Sequence, residues 1–587
     1  MPPSQFGAAR AVSLALALGL ALALVTLPAH GTVEFQGLSR TTEKIVRASV
    51  ALADEPCTAP DARVRRLFRR ADGEIRKALE VYGYYAATID KTLEQDKDKT
   101  CWRATFRIDR GPRVRLRTVS IDVSGAGQSD ARLTGALASD DLAAGKGLNQ
   151  RAYDEFKATL AGVAQRRGYF DGRFAASRID VYPEDFAADI TIDYASGERY
   201  RFGEVTLDQS VVDPELAMRY VEFEPGEPYD ADRLNELYTD LLAGGYFQNV
   251  ELRTTPRPAP YLDVPLTIVL TASPPRTWTT GVGYSTDTGA KLRLDFLHQR
   301  LNSKGHQLEF NSSVSEVLGD FTLGYRLPSG RPRDEWLSVD TGYRYETTED
   351  ARSTEFRLGM KQVKRRRGNW RETRFVDYLL ESFRVAGVPG NSSLVLPGIS
   401  WVNQPLRLLP SRPRKAHRLT FTARGTDEIL GSDTAFLQLE TAGKIILPLW
   451  STARILMRAE AGWTLKQDFS DLPFSVRYFA GGDYSVRGYD YKTLGPTDAE
   501  GKVVGGSDLL VGSIELDQRV FNNWSVAAFV DIGNAFDNYK DLSLKTSVGA
   551  GIRWYSPLGP VRFDVGVPLD NDAPDDWRIH ITLGPDL

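Results

Sequence analysis

From Thr277 onward the chain alternates. Lys291–Phe296, Leu337–Tyr345 and Val561–Val567 each place apolar or aromatic side chains on one face and charged or small ones on the other. A period of two is the signature of a strand with two different faces. Turn clusters such as Asp287–Gly289 and Pro328–Pro332 separate these runs. About 310 residues, at about 20 per strand and connection, predict about 16 antiparallel strands, and bacterial membrane barrels take even numbers. A soluble sandwich of this length would be unusually large. An apolar band in lipid around a polar lumen fits the pattern better.

Before Ser273–Pro275 the pattern changes to helices alternating with strands, and it repeats. Amphipathic stretches Val64–Val81, Tyr153–Ala164 and Leu234–Leu242 run into Gly83–Tyr85, Gly168–Phe170 and Gly245–Phe247, at intervals of roughly 80 residues. The glycine suits the position just past a helix end, and the two aromatics are expected to begin the next strand. Alternating stretches such as Trp102–Ile108 and Ala188–Tyr194 follow. The junctions Arg110–Leu116 and Ser196–Phe202 also resemble one another. The expectation is therefore three small α+β modules, at about residues 32–112, 113–198 and 199–273, ahead of a transmembrane antiparallel β-barrel at 274–587.

The first residues read differently. Arg10, the apolar run Ala11–Leu27 and Pro28–Gly31 form an n-region, an h-region and a small-x-small site, so residues 1–31 are expected to be a cleaved secretory signal. In an exported chain the only cysteines, Cys57 and Cys101, suggest a disulfide stapling the first module. The five histidines (His30, His298, His306, His417 and His580) lie far along the sequence from both cysteines, so no metal or cofactor site is expected. A net charge of −4 gives no reason to expect a nucleic-acid partner. Mean hydropathy of −0.31 argues against a helical membrane protein but not against a barrel. Gly549–Gly551 superficially resembles a phosphate loop, but it sits in a strand pattern without a following helix. With no nucleophile elbow, His-Glu-x-x-His or Walker motif, an enzyme is not expected.

One segment stands apart within the barrel half. Ser475–Tyr489 combines Gly481, Gly482 and Gly488 with Arg477, Arg487 and several aromatics, which reads as an ordered loop. Its tip, Val486, Arg487, Gly488 and Tyr489, needs acidic partners if buried. Strand parity offers two. Trp524, Val526, Ala528, Val530 and Ile532 share a lipid face, which turns Asp531 inward; Leu510, Ile514 and Leu516 do the same for Glu515. The bland alternative is that both acids are simply wetted by the lumen. Lys364–Arg367, followed by Trp370 and Arg371, is a candidate for lipopolysaccharide phosphates or else a solvated face.

Repeated modules before a barrel that contains Val486–Tyr489 resemble the superfamily of BamA, TamA and the two-partner secretion transporters, over essentially the whole mature chain. The resemblance implies POTRA modules in the periplasm and a barrel in the outer membrane of a Gram-negative bacterium. It places Arg487 at the tip of a loop folded into the lumen. It makes Glu515 (in Gly512–Leu516), Asp531 and Gly533 (in Phe529–Gly533) that loop's partners on the wall, and Gly549–Asp564 the closing hairpin. Three modules, together with the ending Trp577–Leu587, point to the TamA branch; the ending departs from the usual terminal aromatic. That branch implies assembly of unfolded outer-membrane clients such as autotransporters, in the lipid bilayer with its lipopolysaccharide, and an inner-membrane-anchored TamB-like partner. A seam between strands near Trp278–Ser285 and Arg578–Leu583, loosened by Gly281, Gly283 and Gly584, would template client strands. The alternatives are a two-partner secretion transporter, which predicts two modules and an amino-terminal plug helix, and a passive porin.

Overall fold

The computed structural model describes residues 31–95, 101–403, 412–466, 468–556, 559–570 and 575–583. Apart from Gly31, the expected signal segment 1–31 lies outside them, as does Gly584. The chain divides into two compact units. One holds residues up to Gly203 with Pro225–Asp232 and Thr255–Pro265; the other holds Glu204–Glu224, Arg233–Thr254 and everything from Leu266. Among the described residues no helix is long and apolar enough to cross a membrane.

Three small sheets precede the barrel. The first contains β1 (Thr32–Gln36), β2 (Thr88–Gln95) and β3 (Trp102–Asp109), with helices α1 (Arg40–Ser49) and α2 (Asp61–Glu80) between β1 and β2. The second contains β4 (Arg115–Ser124), β5 (Arg173–Tyr182) and β6 (Ala187–Ala195), with α3 (Ala131–Gly135) and α4 (Gln150–Arg166). The third contains β7 (Arg201–Asp208), β8 (Phe247–Thr254) and β9 (Asp263–Ala272), with α5 (Pro214–Met218) and α6 (Ala231–Ala243). Each sheet has the same order, its last strand in the middle: β1-β3-β2, β4-β6-β5 and β7-β9-β8. The middle strand supplies the core because its alternation is cleanest. Trp102, Ala104, Phe106 and Ile108 of β3 are buried under Val64, Leu67, Ala71, Ile75 and Leu79, one stripe of α2. Ala188, Ile190, Ile192 and Tyr194 of β6 meet Tyr153, Phe156, Leu160 and Ala164 of α4 in the same way.

The repeated glycines close the helices. Gly83 and Gly168 have φ of 85° and 89°, and the next residue's N–H reaches back five positions, Tyr84 to Leu79 at 3.1 Å and Tyr169 to Ala164 at 3.0 Å. This is the Schellman closure, which a side chain beyond glycine strains. The aromatics that follow do not begin the next strand in the first two modules, where β2 starts at Thr88 and β5 at Arg173. The closing turn aims them into packing instead. Tyr85 joins the core of the second module, and Phe170 packs edge-on against Tyr200 and Tyr229, each at 5.2 Å. Only Phe247 opens a strand, and its neighbour Tyr246 donates its hydroxyl to the Gly305 carbonyl in a barrel turn at 2.7 Å.

An arginine repeats with the glycine. Arg113 donates to the carbonyls of Tyr82 at 2.8 Å and Leu148 at 2.9 Å; Arg199 donates to those of Arg167 at 2.8 Å and Tyr229 at 3.0 Å. In both cases the guanidinium joins the carbonyl just before the helix-closing glycine to backbone of the following segment. The glycine carbonyls accept from the residue after each arginine, Val114 at 2.8 Å and Tyr200 at 2.9 Å.

The second half is a closed sixteen-stranded barrel, every neighbouring pair antiparallel. Its strands are β10 (Arg276–Ser285), β11 (Gly289–His298), β12 (Gln307–Val314), β13 (Leu318–Pro328), β14 (Trp336–Thr347) and β15 (Ala351–Arg365). They continue with β16 (Trp370–Val385), β17 (Val388–Asn403), β18 (Ala416–Thr426), β19 (Phe436–Pro448) and β20 (Ala453–Lys466). The last five are β21 (Asp508–Phe521), β22 (Trp524–Phe536), β23 (Lys545–Ser556), β24 (Gly559–Pro568) and β25 (Arg578–Leu583). In β22, Trp524, Val526, Val530 and Ile532 are exposed while Ser525, Ala527, Phe529 and Asp531 are buried, the alternation of a lipid face and a filled lumen.

The turns after β11 and β13 carry part of the third module: Asp213 N–H donates to Ser303 at 2.8 Å, Arg331 pairs with Glu222 at 2.6 Å, and Arg333 pairs with Asp240. Alternating strand direction puts the turn after β15 at this same end. Lys364–Arg367 is therefore on the module side of the barrel, away from the leaflet that holds lipopolysaccharide. Two of its arginines also pair with protein acids, Arg365 with Asp334 at 3.2 Å and Arg366 with Glu372 at 2.8 Å, and together with its place at this end that corrects the lipopolysaccharide reading.

Two tests follow from the modules. Cys57 and Cys101 are joined by a disulfide across 44 residues, a loop worth about 4 kcal/mol in the chain-entropy account. Replacing both by alanine should lower the unfolding free energy of the first module by that order, read by denaturant melting of the intact protein. Asp130, buried at the start of α3, accepts from Arg167 at 3.0 Å and lies 3.6 Å from Arg199. Burial pushes its carboxyl up, but the Arg167 bond, the Arg132 backbone N–H and nearby Arg199 outweigh it, so its pKa lies below the ordinary value. Its contribution is thus complete above about pH 4 and is lost as pH falls through the lowered value. Hydrogen exchange around residues 130 and 167 should accelerate below pH 4, and Asp130→Asn should give the same acceleration at neutral pH.

Candidate functional site

Residues 468–507 connect β20 to β21 and fold back into the lumen. The backbone is held open where it turns: Gly481, Gly482 and Gly488 have φ of 97°, 107° and 97°. Ala480, Val486, Tyr489 and Leu494 bury themselves against Leu509, Val511 and Ala535 of the wall. Apolar anchoring of this kind fixes the path of the loop, leaving the polar groups of the tip to determine its contacts.

Arg487 is 6 % exposed and surrounded by acids. Its Nε and Nη2 donate to the two oxygens of Asp531 at 2.7 and 3.0 Å, a bidentate fork, and its own backbone N–H donates to Asp531 Oδ2 at 3.1 Å. Nη1 reaches Glu515 Oε2 at 2.8 Å and Asp564 Oδ2 at 3.1 Å. The guanidinium also lies 3.4 Å from the centroid of the Phe529 ring, a face-on cation–π contact. Ser513 donates to Asp531 Oδ1 at 2.6 Å. Behind the acids, Arg553 pairs with Glu515 at 3.0 Å and with Asp564 at 2.5 Å. Two buried guanidinium groups thus interleave with three carboxylates drawn from β21, β22 and β24.

The structure brings Arg487, Glu515 and Asp531 together. It adds Asp564 and Arg553, which parity makes legible: Val561, Phe563, Val565 and Val567 alternate with Asp564, and Ile552 and Trp554 flank Arg553. Gly533 belongs elsewhere. It is buried on β22, where an added Cβ would fall 2.7 Å from the Leu510 carbonyl and 2.8 Å from the Val511 side chain, so its part is close strand approach and not a contact with the arginine. Gly488 meets β24 backbone to backbone, since a Cβ on Gly566 would lie 2.7 Å from its nitrogen. Tyr489 donates its hydroxyl to Asp570 at 2.8 Å.

The tip also reaches both strands of the seam. Gly488 N–H donates to His580 Nε2 at 2.7 Å, and His580 Nδ1 lies 2.6 Å from Asp483 Oδ1. Because Nε2 accepts, the imidazole proton sits on Nδ1 and is donated to Asp483. Asp483 further accepts from Ser285 at 2.6 Å and Thr286 at 2.9 Å, and its N–H donates to Asp287 at 2.6 Å. Asp287, Asp483 and His580 bring one ligand atom each within 4.8 Å of one another. Both imidazole nitrogens are already hydrogen-bonded, so the trio works as a hydrogen-bond junction and does not suit a cation.

Among the described residues, which reach Leu583 on β25, the seam is sparsely paired: β10 pairs with β11 at ten positions and β24 with β25 at six, whereas β10 and β25 share one ladder position, Ser285–Thr582. Thr286 N–H to Ile581 carbonyl and Ile581 N–H to Thr286 Oγ1, both 3.1 Å, complete the closure. On β10 an added Cβ at Gly281 would meet Arg293 of β11 at 3.7 Å and one at Gly283 the Leu583 carbonyl of β25 at 3.7 Å, both ordinary contacts.

Removing the Arg487 side chain would leave buried Asp531 without its fork and Glu515 and Asp564 paired with Arg553. Arg487→Ala should cost about 3–5 kcal/mol of loop seating, and Arg487→Lys should recover little because a point charge cannot replace the fork. Limited proteolysis of the loop together with urea unfolding of the barrel measures both.

Sequence comparison agrees with this architecture. Residues 276–586 match the family model described as the Omp85 superfamily domain, and residues 32–110 match that of POTRA domain TamA domain 1. Over 564 residues the chain is 22% identical to outer membrane protein assembly factor BamA of Nitratidesulfovibrio vulgaris, covering 92% of this chain and 70% of that protein. Over 591 residues it is 22% identical to BamA of Neisseria meningitidis serogroup B, covering 87% and 72%. The solved structure of BamA from Haemophilus ducreyi lacking POTRA domains 1–3 has a similar fold, with a TM-score of 0.63 at 17% identity over 80% of this chain and 99% of that one. With the first of these matches spanning more than half of its sequence, and its barrel and leading α+β modules in the matching order, the chain belongs to the Omp85 superfamily of outer-membrane proteins.

Proposed function

We propose that the protein is a non-enzymatic assembly factor of the TamA type, which helps unfolded β-barrel clients such as autotransporters enter the outer membrane. The observation that carries this reading is the seam: among the described residues one ladder position joins β10 to β25, where the neighbouring ladders have ten and six. An entering strand carries unpaired N–H and C=O groups that are costly in hydrocarbon. Parted from β25, the edge of β10 offers such a strand the backbone partners it lacks, a form of strand addition. The exposed edges β2, β5 and β8 of the module sheets suit the same pairing in the periplasm. On this reading the modules also receive a TamB-like protein anchored in the inner membrane, and the Arg487 clamp keeps the lumen filled while the seam works. The alternative of a two-partner secretion transporter sends the client through the lumen instead, which the seated loop obstructs.

The test is reconstitution. Vesicles holding the protein should speed insertion of an unfolded autotransporter barrel over empty vesicles, with small solutes retained and with Arg487→Ala losing most of the acceleration. Free solute leakage with no change in insertion rate would sink the assembly reading and favour a channel.

A further inference from the structure

The loop tip does more than fill the lumen. Asp483 of the loop touches both sides of the seam: it accepts from Ser285 and Thr286 at the end of β10 and from His580 on β25. His580, 1 % exposed, is held in turn by the Gly488 N–H, next to the clamped Arg487. These contacts gather at the same end of the strands as the lone pair Ser285–Thr582. Below that point Gly281 to Tyr284 pair with β11, and β25 is described as far as Leu583. Among the described residues, backbone closes the seam through the ladder position Ser285–Thr582 and the Thr286 N–H bond to the Ile581 carbonyl. Side chains add the Ile581 N–H bond to Thr286 Oγ1 and three bonds gathered at Asp483.

We infer that Asp483 and His580 form a latch by which the lumenal loop holds the seam shut, so that release of the loop and parting of β10 from β25 are a single event. This rests on the reading that the seam parts to receive a client. It assigns these two residues a positioning role: they touch no client but set how often the edge of β10 is presented. The chemistry gives the latch its directionality. Asp483 accepts three hydrogen bonds from partners on the two sides of the seam, and a buried aspartate holds such donors strongly. Arg578, on the same strand as His580, pairs with Asp490 of the loop and reinforces the same attachment.

The experiment reads the seam directly. Nitroxide labels at Ala290 on β11 and Val567 on β24, outside the latch, report the distance across the seam by double electron–electron resonance in lipid; the two native cysteines are tied up as a disulfide. Asp483→Asn and His580→Phe should each add a longer-distance population at least several-fold larger than in wild type. Loss of the gel-mobility shift on heating would report a barrel that never folded, so each variant is compared with His580→Gln, which keeps a donor and should restore most of the short distance. If Asp483→Asn and His580→Phe fold and keep the wild-type distance distribution, the latch is overturned. Client insertion measured on the same samples separates the two claims: longer distances with faster insertion support both, and longer distances with unchanged insertion support the latch while sinking the templating function.

Discussion

Hydrocarbon offers a backbone nothing to bond with, and this constraint governs every feature of the second half of the chain. Among the described residues the ladders reach sixteen paired positions, between β16 and β17, and the join of β10 to β25 has one. At that join the loop adds a second source of closure. Its arginine is tied to β21, β22 and β24, and its aspartate to β10 and β25. The loop thus spans the stretch of wall that includes the weak join.

Burying so much charge is tolerable only because the charges interleave. Arg487 and Arg553 lie between Glu515, Asp531 and Asp564, with Arg458 close by and bonded to the Ser485 carbonyl at 2.6 Å. Such a network adds little to stability compared with apolar packing of the same volume. Its merit is specificity, since few other placements of the loop satisfy all of these groups. The α+β modules solve a similar problem by different means. There the guanidinium groups of Arg113 and Arg199 bond to backbone carbonyls, and the same joint is used twice.

Much of this was legible in the sequence because strand parity is a strict rule. Once Trp524, Val526, Val530 and Ile532 were assigned to lipid, Asp531 had to face the lumen, and the strand count followed from length alone. The helix-closing glycines were equally clear, since only a positive φ explains their place after three amphipathic runs. What parity does not give is reach. It turns Asp564 and His580 inward but does not say which loop residue meets them across 77 and 97 positions. The destinations of Tyr85 and Phe170 were hidden for the same reason: an aromatic after a helix looks alike whether it opens a strand or packs into the next module. Lys364–Arg367 misled because charge runs carry no information about which end of a barrel they occupy.

Ser285 and Thr582, the two sides of the seam, are the ends of a count. Between them lie fifteen ladders, and a slip of one residue in any of them would turn an inward side chain outward and shift everything beyond it. Asp483 can touch Ser285 and His580 together only when the whole count is right. The loop therefore acts as a gauge on the barrel that contains it: it seats where sixteen strands have been dealt in register, and a miscounted wall leaves its charges stranded. A member of a family of outer-membrane assembly and transport proteins thus carries within its own lumen a check that its barrel has closed correctly.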